Sequence, residues 1–131
     1  ADPSVVIMLQ IALGGQQDES LFFFDNMLAR GLRFDAIGMS YYPKWHGTLD
    51  DLRNNLTNMA LRYEQDIIVV EYSSMKREVN DIVFNLPNNK GKGTAIWEPL
   101  NTWERIFDRE GKSNELILVY DELNKRFIMS K

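Results

Sequence analysis

The stretch DIIVVEYS, residues 66–73, runs four apolar side chains straight into a carboxylate, Glu71. A carboxylate fixed at the end of a strand can act as a nucleophile, orient a ligand, or accept from a basic partner. Burying it unpaired would cost several kcal/mol, roughly, so its position has to be explained. Three further apolar runs also finish in side chains able to bind or react. They are Gln10 after 5–9, the set Ser40, Tyr41 and Tyr42 after 34–39, and Trp97-Glu98 closing the run from 94.

Other chemistry is excluded by composition. There is no cysteine and a single histidine, His46, so thiolate chemistry is ruled out and a multi-histidine zinc site has no ligands. The formal net charge is −4 with no long block of one sign, which leaves no electrostatic footprint for nucleic acid or an anionic membrane. No apolar run reaches the roughly 18–20 residues of a membrane span, and no signal-peptide pattern opens the chain. Gly14-Gly15 lacks the spacing of a phosphate loop or dinucleotide fingerprint and reads as a plain turn.

The elements that must hold these side chains recur along all 131 residues as one domain. Strand candidates at 5–9, 34–39, 67–70 and 94–97 start at spacings near the roughly 30 residues of a βαβ unit. The run 67–70 reads as a strand buried on both faces. Helical patterns fall between and after them: 20–30, closed by Gly31; a helix after Thr48 with Leu49, Leu52, Leu56, Met59 and Tyr63 in phase; 75–86, stopped by Pro87; and a C-terminal helix from Leu116 to beyond Leu123. Thr48, with Asp51 three residues on, predicts an N-cap. The order β-α-β-α-β-α-β-α predicts an α/β fold with a mainly parallel sheet, in which sites gather at the carboxyl ends of strands. Glu71 then belongs at the lip of a cleft.

The residues that carry a family likeness are RFDAIGMSYYPKWHGTLDDLRNNL at 33–56, ALRYEQDIIVVEYS at 60–73 and AIWEP at 95–99. Together they resemble the arabinogalactan endo-β-1,4-galactanases of glycoside hydrolase family 53. The resemblance implies a (β/α)8 TIM-type barrel, retaining hydrolysis of β-1,4-galactan without a cofactor, and a secreted, periplasmic or cell-surface setting. It makes Glu71 the nucleophile and places Tyr41, Tyr42, Trp45, His46 and Trp97 along the substrate cleft, with Gln10 and Glu98 as further binding groups. The sequence departs from the family at three places. Gln10 stands where a histidine is usual, Tyr-Ser-Ser follows Glu71 where a Thr-Ala-Tyr type of sequence is usual, and the compact segment 71–97 offers no counterpart to a calcium-binding loop.

A barrel of this kind needs roughly 250 residues, so four β/α units correspond to strands five to eight, the C-terminal half. The family's acid/base Asn-Glu pair would lie in the other half. Asn114-Glu115 opens a helix and reads as first-turn charge, and Glu98 reads as a binding or structural group rather than an acid. Retention needs two carboxyls about 5–5.5 Å apart, so the chain by itself is expected to hydrolyse galactan poorly or not at all. It is also expected to self-associate or to pair with a missing N-terminal half-barrel. Of the adjacent tyrosines, alternation predicts one at the cleft and one packed behind it. His46 reads as a binding group rather than a catalytic one, and Asp35 as a buried structural hydrogen-bonding group. Two alternatives remain open: a non-catalytic carbohydrate-binding remnant, and a small doubly wound α/β domain binding a phosphorylated ligand.

Overall fold

The computed structural model describes residues 2, 4–101 and 103–129. Four strands, β1 (Met8–Ile11), β2 (Ala36–Tyr41), β3 (Asp66–Tyr72) and β4 (Gly91–Ile96), form one parallel sheet in the order β1-β2-β3-β4. Helices α1 (Gln17–Ala29), α3 (Leu49–Arg62) and α4 (Lys76–Phe84) connect them, with a short helix α2 (Pro43–His46) directly after β2 and α5 (Leu118–Phe127) after β4.

Each strand lies beside its predecessor and the order never reverses. A doubly wound sheet reverses at a switch point, so that alternative does not fit this topology. Phe24 of α1, Leu56 and Met59 of α3 and Val83 of α4 merge with Ile37 and Val69 of the sheet into a single buried cluster. The helices therefore cover one face of the sheet, as in a segment of a barrel. On the other face Met8, Gln10 and Val70 converge over Gly38, where an added Cβ would lie 2.8 Å from the Met8 sulfur. This face is open, so the strand expected to be buried on both sides is not. Ile67 and Val69 are fully buried, whereas Ile68 and Val70 are half-exposed.

The helix signals work locally. Thr48 and Asp51 form a complete capping box on α3, and Gly31 takes a left-handed φ of 79° past the end of α1. Met75 caps α4 instead of opening it, and a 3-10 turn at Glu115–Ile117, capped by the Asn114 side chain, precedes α5.

Three strands begin two or more residues from where the apolar runs suggest, β2 at Ala36 rather than Phe34. Pairing at β1 starts where Asp35 and Ala36 N–H groups donate to the Ile7 carbonyl, leaving Val5 and Val6 exposed. Asp35 is itself exposed rather than buried, and its carboxylate accepts from the Ile7 N–H at 2.8 Å, so its structural role survives without burial. β4 begins three residues before Thr94 because its first residues include two glycines that carry no apolar signal. One of them, Gly91, lies so close to α4 that a Cβ would meet the Val83 carbonyl at 1.7 Å.

Candidate active site at the strand ends

Parallel pairing brings the carboxyl ends of all four strands to one rim. At that rim β3 carries an irregularity that decides where Glu71 points. Met39 pairs with Val69 but Ser40 pairs with Glu71, so Val70 is an extra residue opposite a single step of β2. Counting alternate positions from the buried Ile67 and Val69 would turn Glu71 into the helix layer. The bulge resets the phase. Tyr72 takes the buried position, and the Glu71 carboxylate reaches the open side beside Ser40 and Gln10.

There it is held by three neutral donors, one from β1, one from the end of β2 and one just past that end. The Tyr42 hydroxyl donates to Oε1 at 2.9 Å. Ser40 Oγ and Gln10 Nε2 each donate to Oε2 at 3.2 Å, and Gln10 Nε2 also donates to Ser40 Oγ at 2.9 Å. Burial, the hydrogen bond to Glu71 and the charges of Glu71 and Glu98 together push the Tyr42 hydroxyl well above its ordinary pKa, so it stays a donor. Gln10 thus bonds the carboxylate from within β1 rather than extending from the strand's end.

The motif around α2 explains the aromatic rim. Tyr42 is extended and caps the helix, Pro43 sets its first turn, and Gly47 ends it. One turn of helix sends Trp45 outward and folds His46 inward. His46 is 8 % exposed, and its Nδ1 accepts the Tyr42 N–H at 3.0 Å. With Nδ1 occupied as an acceptor, the neutral ring carries its proton on Nε2. Burial holds the imidazole below its ordinary pKa, against the opposing pull of the Ser40 carbonyl and the Glu71 charge. The structure therefore places His46 behind Tyr42 as a backbone partner, not at the exposed rim. Tyr41 is likewise buried, 1 % exposed, and its hydroxyl donates to the Gly47 carbonyl. The tyrosine pair divides as alternation predicts, with Tyr42 facing the cleft and Tyr41 packed behind.

Trp45 and Trp97 are exposed, as expected of rim groups. Glu98, just after β4, is exposed and holds a left-handed φ of 41°, an uncommon conformation for a residue with a side chain. The sequence reading missed Trp103. Its ring lies 5.5 Å from Tyr42 and 5.8 Å from Trp45, and it is 70 % exposed. Two depressions meet at it, one of about 380 Å³ lined by Trp97, Glu98 and Asn101, the other of about 350 Å³ lined by Tyr42, Trp45 and Met75 among others. The available signal was a tryptophan six residues beyond Trp97 in a loop with no core to fill. Among the described residues no group of three or more metal-binding side chains comes together.

The chain that builds this rim is similar in sequence and fold to known proteins. The sequence pattern of glycosyl hydrolase family 53 matches residues 1–81, a span that contains Glu71 and all three of its donors. An uncharacterized protein in the bgaB 5′ region of Niallia circulans is 53% identical over 70 residues, covering 53% of this chain and 19% of that protein. The probable arabinogalactan endo-β-1,4-galactanase A of Aspergillus flavus is 37% identical over 123 residues, covering 71% of this chain and 35% of the relative. Among solved structures, the family 53 catalytic domain of Ignisphaera aggregans superposes with a TM-score of 0.84 at 23% identity, over 93% of this chain and 48% of that one. The chain thus spans about half of that barrel domain and a smaller share of the curated relatives, and the fold is that of a partial (β/α)8 barrel. On the match over residues 1–81, more than half of its length, the chain belongs to glycosyl hydrolase family 53.

Proposed function

We propose that this chain is the nucleophile-bearing half of a retaining hydrolase acting on β-1,4-galactan, with Glu71 as the nucleophile. The observation that carries the reading is the clamping of Glu71 by Tyr42, Ser40 and Gln10 at the open rim, beside Trp45, Trp97 and Trp103. A Glu71 oxygen bonds to the anomeric carbon as the glycosidic C–O bond breaks, and the leaving oxygen takes a proton from an acid. Water then attacks the same carbon, releases Glu71 as a carboxylate, and gives its proton back to that acid's conjugate base. The exposed tryptophan faces suit the apolar side of a galactose ring, while Tyr42, Glu98 and the indole N–H groups meet its hydroxyls.

All three donors to Glu71 are neutral, and an acid 5–5.5 Å away, roughly the retaining spacing, is assigned here to a complementary set of β/α units closing the barrel. General acid catalysis contributes about 10²- to 10⁴-fold, so the 131-residue chain by itself turns over galactan at best slowly. An activated 2-deoxy-2-fluoro-β-galactobioside needs no acid for its leaving group and tests Glu71 directly. Mass spectrometry is expected to find one glycosyl adduct on the peptide containing Glu71 and none in Glu71→Gln. No adduct at high reagent concentration, with galactan oligosaccharide still binding by calorimetry, would leave the sugar-binding remnant in its place.

A further inference from the structure

Lys76 opens α4 and lies on the buried side of the rim, its side chain 2% exposed. An ammonium has three N–H donors, and here each has an acceptor: the Ser73 carbonyl at 2.7 Å, the Glu104 carbonyl at 2.6 Å and the Glu104 carboxylate at 3.2 Å. Ser73 lies two residues after Glu71, and Glu104 follows Trp103. One cation therefore joins the segment leaving β3 to the segment leaving β4. The contacts then close a ring, since Trp103 packs against Tyr42 and Tyr42 donates to Glu71.

We propose that Lys76 is a positioning residue whose ammonium clamps the loop bearing Trp97, Glu98 and Trp103 against the turn after Glu71, fixing the aromatic shelf over the nucleophile. The clamp is read from geometry alone; its consequence for sugar binding rests on the function proposed above. An ammonium is a poor choice for mere filling. Removing it from water costs several kcal/mol, about, and an apolar side chain of similar shape in place of a buried ion pair is often neutral or stabilising. What an apolar group cannot do is hold two carbonyls and a carboxylate of separate segments at one point.

Lys76→Met keeps length and removes the charge. In the full chain, hydrogen exchange is expected to quicken at least about tenfold in peptides spanning 97–107, equivalent to roughly 1.4 kcal/mol, while α1 and α3 keep their protection. Affinity for a galactan tetrasaccharide is expected to fall by a similar factor, with Lys76→Arg recovering part of both losses. Glu104→Gln, on the partly exposed partner, retains the backbone acceptor and is expected to show a smaller change in the same direction; it serves if the methionine variant misfolds. Unchanged exchange in the 97–107 peptides of both variants overturns the clamp. Faster exchange with undiminished sugar affinity overturns the positioning role. If the wild type binds no galactan oligosaccharide, the proposed function fails, and exchange still decides the clamp.

Discussion

Tyr42→Phe separates hydrogen bonding from packing at Glu71. The ring that meets Trp45 and Trp103 remains, and only the hydroxyl donating to Oε1 at 2.9 Å is lost. The two carboxylate oxygens are not equivalent. Oε2 receives both Ser40 and Gln10, whereas Oε1 is held by Tyr42. The terminal torsion of glutamate is broad, so without Tyr42 the carboxylate swings and the attacking oxygen loses its line to the anomeric carbon. A hydrogen bond to a charged group contributes about 1.5–3 kcal/mol and 1.36 kcal/mol is tenfold in rate, so adduct formation is expected to slow roughly 10- to 150-fold. Ser40→Ala leaves Gln10 on Oε2 and is expected to slow it about tenfold or less. The assay is the rate of labelling by the activated fluoro-galactobioside, followed by mass, with reagent affinity obtained from its concentration dependence. Affinity is expected to change little in Tyr42→Phe, because the aromatic surface is intact. Labelling at the wild-type rate in Tyr42→Phe, or slower labelling in Ser40→Ala than in Tyr42→Phe, would refute the reasoning that the Tyr42 hydroxyl orients the Glu71 carboxylate.

Four further outcomes are expected. The Tyr72 hydroxyl is the centre of a buried network with Asn80, Thr94 and Tyr120 on the helix side; Tyr72→Phe should lower stability by about 1–2 kcal/mol in urea titration and leave labelling of Glu71 unchanged. Thr48→Ala removes the capping box of α3 and should cost about 1 kcal/mol, seen as a lower urea midpoint with an unchanged slope. Because His46 is held below its ordinary pKa when folded, the unfolded chain takes up its proton first as the pH falls through 6.5. Stability is full above that value and is lost with falling pH until the folded pKa is reached; urea midpoints from pH 7.5 to 5, about the range where free histidine titrates, should show this slope in the wild type and a flatter one in His46→Gln. Finally, the exposed Val5, Val6 and Ile7 and the uncovered face carrying Met8 predict concentration-dependent association by light scattering; a monomer at high concentration would contradict it.

What could be read from the sequence depended on whether a signal was local. The Thr48–Asp51 box and the phase of α3 act within a few residues, and both formed as read. The motif SYYPKWHG also carried its own geometry, since proline and glycine bound a single helical turn. Burial of His46 was not local. It follows from how that turn lies against the end of β2, and a histidine's type says nothing about which way it faces. The start of β4 was hidden for a related reason: its glycines answer to the closeness of α4, a contact made from a different part of the chain. Trp103 escaped because an exposed aromatic in an irregular loop has no periodicity to betray it.

The position of Glu71 shows why strand end and side-chain direction are separate questions. The run Ile67 to Val70 announces a strand correctly, but period-two alternation alone would aim Glu71 at the helices and Tyr72 at the cleft. Tyr72 cannot accept that place, because its hydroxyl is the hub of the Asn80, Thr94 and Tyr120 network and its ring is fully buried. Glu71 cannot accept the other, because an unpaired carboxylate in the buried apolar layer between sheet and helices would cost several kcal/mol, roughly. Both preferences are met by one unpaired step in β3, and no regular strand could satisfy them together. The extra residue at Val70 is therefore the structural condition for presenting a carboxylate to the open rim while the neighbouring tyrosine anchors the strand from behind.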